Sequence, residues 1–307
     1  MPATTLATPP SLEARYGTPK AEHLRLPEGV YVPTLAFFTD SEEVDTNTLE
    51  RHLVRLINAG VAGIVVHGSN GEAVHLTREE RSSMIRCAAD TIHQEGHDVK
   101  IPLIAGYYGS LLDDEKIVQH FYAVADESPI PLLVYNFPAA ASGRDLTSDA
   151  IVQIAQHPNV VGVKLTCGNT GKLARVVDDV PEGFFVAGGS ADFILQGQVV
   201  GGHGTISGLA NIAPRACVRI MELFSQGKLA EARRLQAVVA KGDWVAIKTG
   251  FVGVKAAIGH FEQYGGAPRK PCVGPSALEL KTIAEGLSQL HRLERELEEE
   301  AAGGGVH

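Results

Sequence analysis

The stretch VVGVKLTCGN, residues 160–169, carries a lysine inside an apolar run. Side chains alternate faces along a strand. Gly162, Lys164 and Thr166 therefore share one face, and Val161, Val163 and Leu165 the other. With the Val/Leu face turned to covering helices, Lys164 points inward near the strand's C-terminal end. An ordinary lysine, with a pKa of ~10.4, is roughly 0.04% neutral at pH 7, and a drop of about three units makes that roughly a quarter. Desolvation supplies such a drop, and a free amine can attack a ketone to form a Schiff base. The plainer reading of Lys164 is a carboxylate partner or a stem reaching to the rim. Tyr135 ends the preceding apolar run, PLLVYN, and its phenol can both donate and accept a proton. The loop HGSNGE, residues 67–72, adds Ser69 and Asn70 between Gly68 and Gly71. Its exposed N–H groups could form a nest for a carboxylate or phosphate. Each of the last two also has a structural reading, as a core tyrosine and a simple turn.

These residues need elements to hold them, and from residue 29 the chain keeps a steady beat. The apolar runs GVYVPTLAFF, VAGIVVHG, KIPLIAG, PIPLLVYN, NVVGVKLT, GFFVAGG and GGHGTISG read as strands. Helical spacing fills residues 44–59, 77–94, 112–127, 148–156, 169–178 and 191–200, and Thr77 with Glu80 forms a capping box. Short apolar strands alternating with amphipathic helices predict a parallel sheet covered by helices. No G-x-G-x-x-G follows the first strand, and the even beat favours a (β/α) barrel over a doubly wound sheet. The expected organisation is a flexible extension at 1–28, a barrel at 29–210, a helical region at 211–300 and a tail at 301–307.

Composition bounds the partners. The 307 residues carry a net charge of −9, with no basic run, which argues against nucleic acid and anionic membranes. No run approaches the ~18 apolar residues of a membrane span. Cys87, Cys167, Cys217 and Cys272 show no CxxC spacing, as expected of free thiols in a reducing compartment. Cytoplasm is the expected location, with the Thr/Pro/Ala-rich leader leaving a mitochondrial address open.

Taken together, GSNGE, YNFP and GVKLT resemble the class I aldolase family of dihydrodipicolinate synthase and N-acetylneuraminate lyase. The likeness continues through VAGGSADFI, GGHGTISGLAN and YGGAPRKP, over most of residues 29–275. It implies a TIM-type (β/α)8 barrel, with Lys164 as Schiff-base lysine and Tyr135 as proton relay. It also implies that Ser69 and Asn70 hold the carboxylate of a 2-oxo acid, that the backbone at Ile206 faces the imine, and that Gly188 and Gly189 line the channel. Pyruvate chemistry of this kind calls for no cofactor and no metal. The family's tetramers, together with Leu278, Leu280, Ile283, Leu287, Leu290, Leu293 and Leu297 at helical spacing, lead to an expected homodimer or homotetramer.

Three departures direct the choice within the family. Ser69-Asn70 stands where synthases show Thr-Thr, and is similar to the 4-hydroxy-2-oxoglutarate aldolase and fungal deoxy-hexulosonate aldolase branch. The arginine that synthases place two residues after the proline of this motif is missing, since Pro138 is followed by Ala139, Ala140 and Ala141. Arg144 is a weak substitute. Both changes favour cleavage or synthesis of a 4-hydroxy-2-oxo acid over condensation of pyruvate with aspartate semialdehyde. Third, the chain runs from Gly106 directly into YYGS, so one βα unit of roughly 25–30 residues is absent. Tyr107 and Tyr108 resemble the remnant of a loop that crosses to a neighbouring subunit's site. Rival readings are a metal-dependent aldolase using His67 and His203, a phosphosugar enzyme, and an inactive binding protein.

Overall fold

Each apolar run that reads as a strand joins one parallel sheet in the computed structural model, which describes residues 25–95, 103–106 and 113–303. The strands are β1 (Gly29–Pro33), β2 (Gly63–Val65), β3 (Leu103–Gly106), β4 (Leu132–Asn136), β5 (Val160–Leu165), β6 (Phe185–Gly188) and β7 (Gly204–Ile206). Their order is β2-β1-β7-β6-β5-β4-β3, so the first strand lies between the second and the last, as in a barrel. Covering helices are α1 (Thr46–Asn58), α2 (Arg78–Gln94), α3 (Asp114–Glu127), α4 (Ser148–Ile154), α5 (Thr170–Asp179) and α6 (Ile194–Val199). Asp45, Thr77, Asp113, Thr147 and Asn169 cap five of them by accepting backbone N–H bonds, and Thr77 with Glu80 forms the expected capping box.

Seven strands stand where a closed (β/α)8 barrel has eight. Among the described residues β2 and β3 are the two edges and do not pair. The expected loss after Gly106 therefore appears as an opening on the other side of β3. Register explains this: Leu103 pairs with Leu132 and Gly106 with Tyr135. Residues 107–131 suffice for one helical crossover between adjacent strands, whereas 66–102 is the longest connection in the sheet.

The sheet separates an inner from an outer core. Leu26, Tyr31, Val65, Leu133, Phe185, Ala187 and Ile206 fill the interior. Tyr31 and Phe185 meet edge to face at 5.1 Å, and the Tyr31 hydroxyl donates to the Pro27 carbonyl at 2.8 Å. Gly63 makes room for this ring, since a Cβ there would lie 2.3 Å from it. Val163 and Leu165 face the helices as the alternation predicts, but Val161 packs against the interior cluster. A register shift between Leu132 and Leu133 is responsible: it sets Leu132 against Val160 and Leu133 against Gly162, and the extra residue moves the alternation by one.

Beyond the barrel come α7 (Pro214–Ser225), α8 (Leu229–Glu262), which kinks at Gly250 with φ 60°, and α9 (Ala277–Gly303). Most of the leucine stripe that suggested a subunit contact is used within the chain, while Leu278 stays exposed. Ile283, Leu287 and Leu290 are buried in the same core as residues of α7 and α8, with Leu293 and Leu297 packed partly against it. Gly242 admits Leu290 so closely that a Cβ would lie 2.4 Å from its Cδ2. Glu294 completes the junction, accepting from the Arg215 and Ala216 N–H groups at the start of α7, both at 2.9 Å. Among the described residues no helix is long and apolar enough to cross a membrane.

Candidate active site

The aromatic floor leaves the C-terminal ends of the strands as the place for chemistry, and there Lys164 stands opposite Ala187 on one side and Tyr135 on the other. It is 6% exposed. Its Nζ lies 4.3 Å from the centre of the Tyr135 ring. Among the described residues no carboxylate pairs with it. Burial alone brings the amine down from its usual 10.5 to about 7, which leaves about half of it neutral at pH 7. The Tyr135 ring, itself stacked on Phe137 at 5.5 Å, fixes the side on which the amine rests.

Three loops leave the sheet at this same end. After β2, Ser69–Gly71 forms a single 3₁₀ turn, followed by Glu72 in the left-handed region with φ 49°. Ser69 is exposed and Asn70 half-buried, against Gly208 beyond β7; a Cβ at Gly208 would lie 2.7 Å from Asn70 Nδ2. Ile206 closes β7 with its side chain in the interior cluster. After β6, Gly188 is in register with Leu165 and Thr205, and Gly189 donates its N–H to the Leu165 carbonyl at 2.8 Å. Gly189 must be glycine here, because a Cβ would lie 1.9 Å from Thr166 Oγ1. Lys164, Tyr135, Ser69, Asn70, Gly188, Gly189 and Ile206 thus gather at one end of the sheet, with Lys164 and Tyr135 in direct contact. Tyr107 and Tyr108 lie outside the described residues.

Thr166 and Ser207 carry no assignment from the sequence. Their hydroxyls are buried without a partner among the described residues, although buried polar atoms are ordinarily paired. Alternation from Lys164 points to Thr166. Nothing comparable marks Ser207, which lies past the end of its strand.

Two weaker readings also bear on the site. His67 follows β2 at the C-terminal end, while His203 precedes β7 and accepts from the Val186 N–H at 3.0 Å, at the opposite end. They cannot meet at the rim, so the metal-dependent reading loses its ligand pair. Arg144 is paired with Asp114, in keeping with its weak standing as a substitute for the missing arginine.

The pattern of the dihydrodipicolinate synthetase family matches residues 26–113 and, in a second stretch, 96–290. The two stretches overlap at 96–113, which contains β3. The chain is 49% identical to an Emericella nidulans protein named "Probable 4-hydroxy-2-oxoglutarate aldolase, mitochondrial", over 88% of this chain and 97% of that one. It is 39% identical to the L-threo-3-deoxy-hexylosonate aldolase of Hypocrea jecorina, over 89% of this chain and 98% of the relative. Among solved structures, a dihydrodipicolinate synthase family protein from Coccidioides immitis superposes with a TM-score of 0.79 at 30% identity, covering 89% of this chain and 99% of its own.

Proposed function

The chain belongs to the dihydrodipicolinate synthetase family, and from that premise we propose that it is a class I aldolase whose Lys164 forms a Schiff base with pyruvate or a related 2-oxo acid. The observation that carries the reading is a buried amine with no carboxylate partner among the described residues, resting on the ring of Tyr135. The neutral amine attacks the ketone carbon, and the resulting carbinolamine loses water to give a protonated imine. In the cleavage direction the 4-hydroxyl loses its proton, the C3–C4 bond breaks, and its electrons flow into the imine to form an enamine. An aldehyde leaves, the enamine takes a proton at C3, and water releases pyruvate from Lys164. Tyr135 is the group assigned to carry protons to and from the oxygen atoms in these steps. Ser69 and Asn70 are assigned to the 2-oxo acid's carboxylate, with the Gly188-Gly189 loop and Ile206 shaping the channel. The partnerless hydroxyls of Thr166 and Ser207 are acceptors and donors suited to the hydroxylated tail.

A 4-hydroxy-2-oxo acid is the proposed substrate class. The absence of a guanidinium after Pro138 and the capture of Arg144 by Asp114 weigh against an amino-aldehyde carboxylate. The proposed assembly is a homodimer or homotetramer, supported by Trp244, Ile247, Val273 and Leu278, which are apolar and 48–82% exposed. The proposed compartment is the cytoplasm, with the mitochondrion as the competing address.

Borohydride added with pyruvate should fix one pyruvate-sized adduct on the peptide carrying Lys164. Turnover should then favour 4-hydroxy-2-oxoglutarate or a deoxy-hexulosonate over N-acetylneuraminate and over pyruvate with aspartate semialdehyde. Preference for aspartate semialdehyde would overturn the substrate class. Absence of any adduct would overturn the chemistry and favour a binding protein built on the open sheet.

A further inference from the structure

The loop after β6 is held from two sides, and its rear attachment comes from outside the barrel. Toward the mouth, Gly189 donates to Leu165 at 2.8 Å, and Thr205 Oγ1 donates to the carbonyls of Gly188 at 3.3 Å and Ser190 at 3.1 Å. Behind it stands Asp243 of α8, 3% exposed. A single carboxylate oxygen, Oδ2, accepts from three consecutive residues: Ser190 Oγ at 2.5 Å, Ala191 N–H at 2.7 Å and Asp192 N–H at 2.9 Å. One helical face supplies a second grip, since Gln236 donates to the Ala191 carbonyl and accepts from the Leu195 N–H, both at 2.8 Å.

We propose that Asp243 is a positioning residue of the Lys164 site, holding residues 188–192 against the end of β5 so that Gly188 and Gly189 keep the channel wall in place. This rests on the aldolase reading above. The loop's contact with Thr166, two residues from Lys164, leaves no slack: its approach is so close that no side chain fits at Gly189. Without the carboxylate, the buried Ala191 N–H and the part-buried Asp192 N–H lose their acceptor, and the loop must open toward water to satisfy them. A wall displaced by about an ångström weakens substrate placement without touching the amine.

The test compares Asp243→Asn, whose amide oxygen can accept from the same donors, with Asp243→Ala, which cannot. In Asp243→Ala, amide exchange at Ala191 and Asp192 should quicken by about tenfold or more, and KM should rise by about tenfold. The kcat and the yield of pyruvate trapped by borohydride at saturation should stay within about threefold of the unsubstituted protein. Asp243→Asn should restore both exchange and KM. Unchanged exchange in the alanine variant, a loss in kcat at constant KM, or equal damage from Asn and Ala would each overturn the proposal. If Asp243→Ala does not fold, Ser190→Ala removes one donor and leaves the carboxylate seated. A rise in KM of about threefold at constant kcat then supports the assignment, and an unchanged KM overturns it. If the unsubstituted protein traps no pyruvate, the aldolase reading falls. The exchange comparison still decides whether Asp243 holds the loop.

Discussion

Lys164 and Lys255 are both buried, and in both burial pulls the amine below its usual pKa, yet their surroundings differ in kind. Lys255 lies 2.7 Å from Glu72 Oε1 and donates to the Ala267 carbonyl at 3.0 Å. The other Glu72 oxygen accepts from the Arg269 N–H at 3.0 Å and faces His75 Nδ1 at 3.2 Å. Hydrogen bonding and charge from Glu72 thus work against the desolvation of Lys255. Lys164 has an aromatic face and, among the described residues, no such counterweight. A third buried lysine, Lys172, is paired with Asp145. Burial therefore does not distinguish a nucleophile from a tie in this fold. The missing carboxylate does. The Glu72 clasp also anchors the turn that carries Ser69 and Asn70, so on the proposed function the paired lysine helps to build the site of the unpaired one.

The largest break in this contrast comes from replacing each lysine with an isosteric apolar residue. Lys164→Met should abolish both borohydride trapping and turnover, and should also stabilise the protein. The unfolded chain keeps that proton up to about pH 10.4. The folded chain releases it near pH 7. Between these values the unfolded state binds more protons, so the native lysine's stability penalty is full below pH 7 and fades as pH rises toward that upper limit. Relief by Met, on the order of a few kcal/mol at pH 6, should disappear near pH 10. A Lys164→Met variant that unfolds more readily at pH 6 would contradict this.

Lys255→Met should act in the opposite direction. It leaves Glu72 buried without its cation, and breaking such a pair costs ~3–5 kcal/mol. Chemical denaturation of the single variant and of Lys255→Met with Glu72→Gln should show the second change recovering part of the loss. A single variant as stable as the parent would show that the pair is not a tie. The smallest effect should come from giving Lys164 the partner it lacks. Ala187→Asp sets a carboxylate opposite it in register, which favours the charged amine. The pH at which adduct formation reaches half its plateau should move up from about 7 by about one unit or more. An unmoved profile would show that something other than the amine's proton limits the reaction.

Much of this was legible in the residues. The strand-helix beat, the capping box of Thr77 with Glu80, and an inward Lys164 beside Tyr135 depend on contacts within a few positions, or on alternation along one strand. Other features were not. The opening beside β2 depends on which neighbour β3 pairs with, and Val161 turns inward because of a register shift against β4. The α9 leucines, periodic enough for any partner, found theirs in α7 and α8 of the same chain.

By itself the sequence determined the parallel αβ architecture, the family, and the lysine on which a Schiff base could form, because apolar period and local motif are properties of short stretches. Only the tertiary structure decided which lysine would be left without a counter-ion. Glu72 and Lys255 are 183 positions apart, and Asp243 meets Ser190 across 53. No pattern along the chain encodes such a pairing, since it exists only when the barrel and the C-terminal helices pack together. Packing also removes the water that would otherwise solvate every lysine alike. Once that water is gone, the presence or absence of one carboxylate is enough to separate an amine that ties the fold together from an amine able to react.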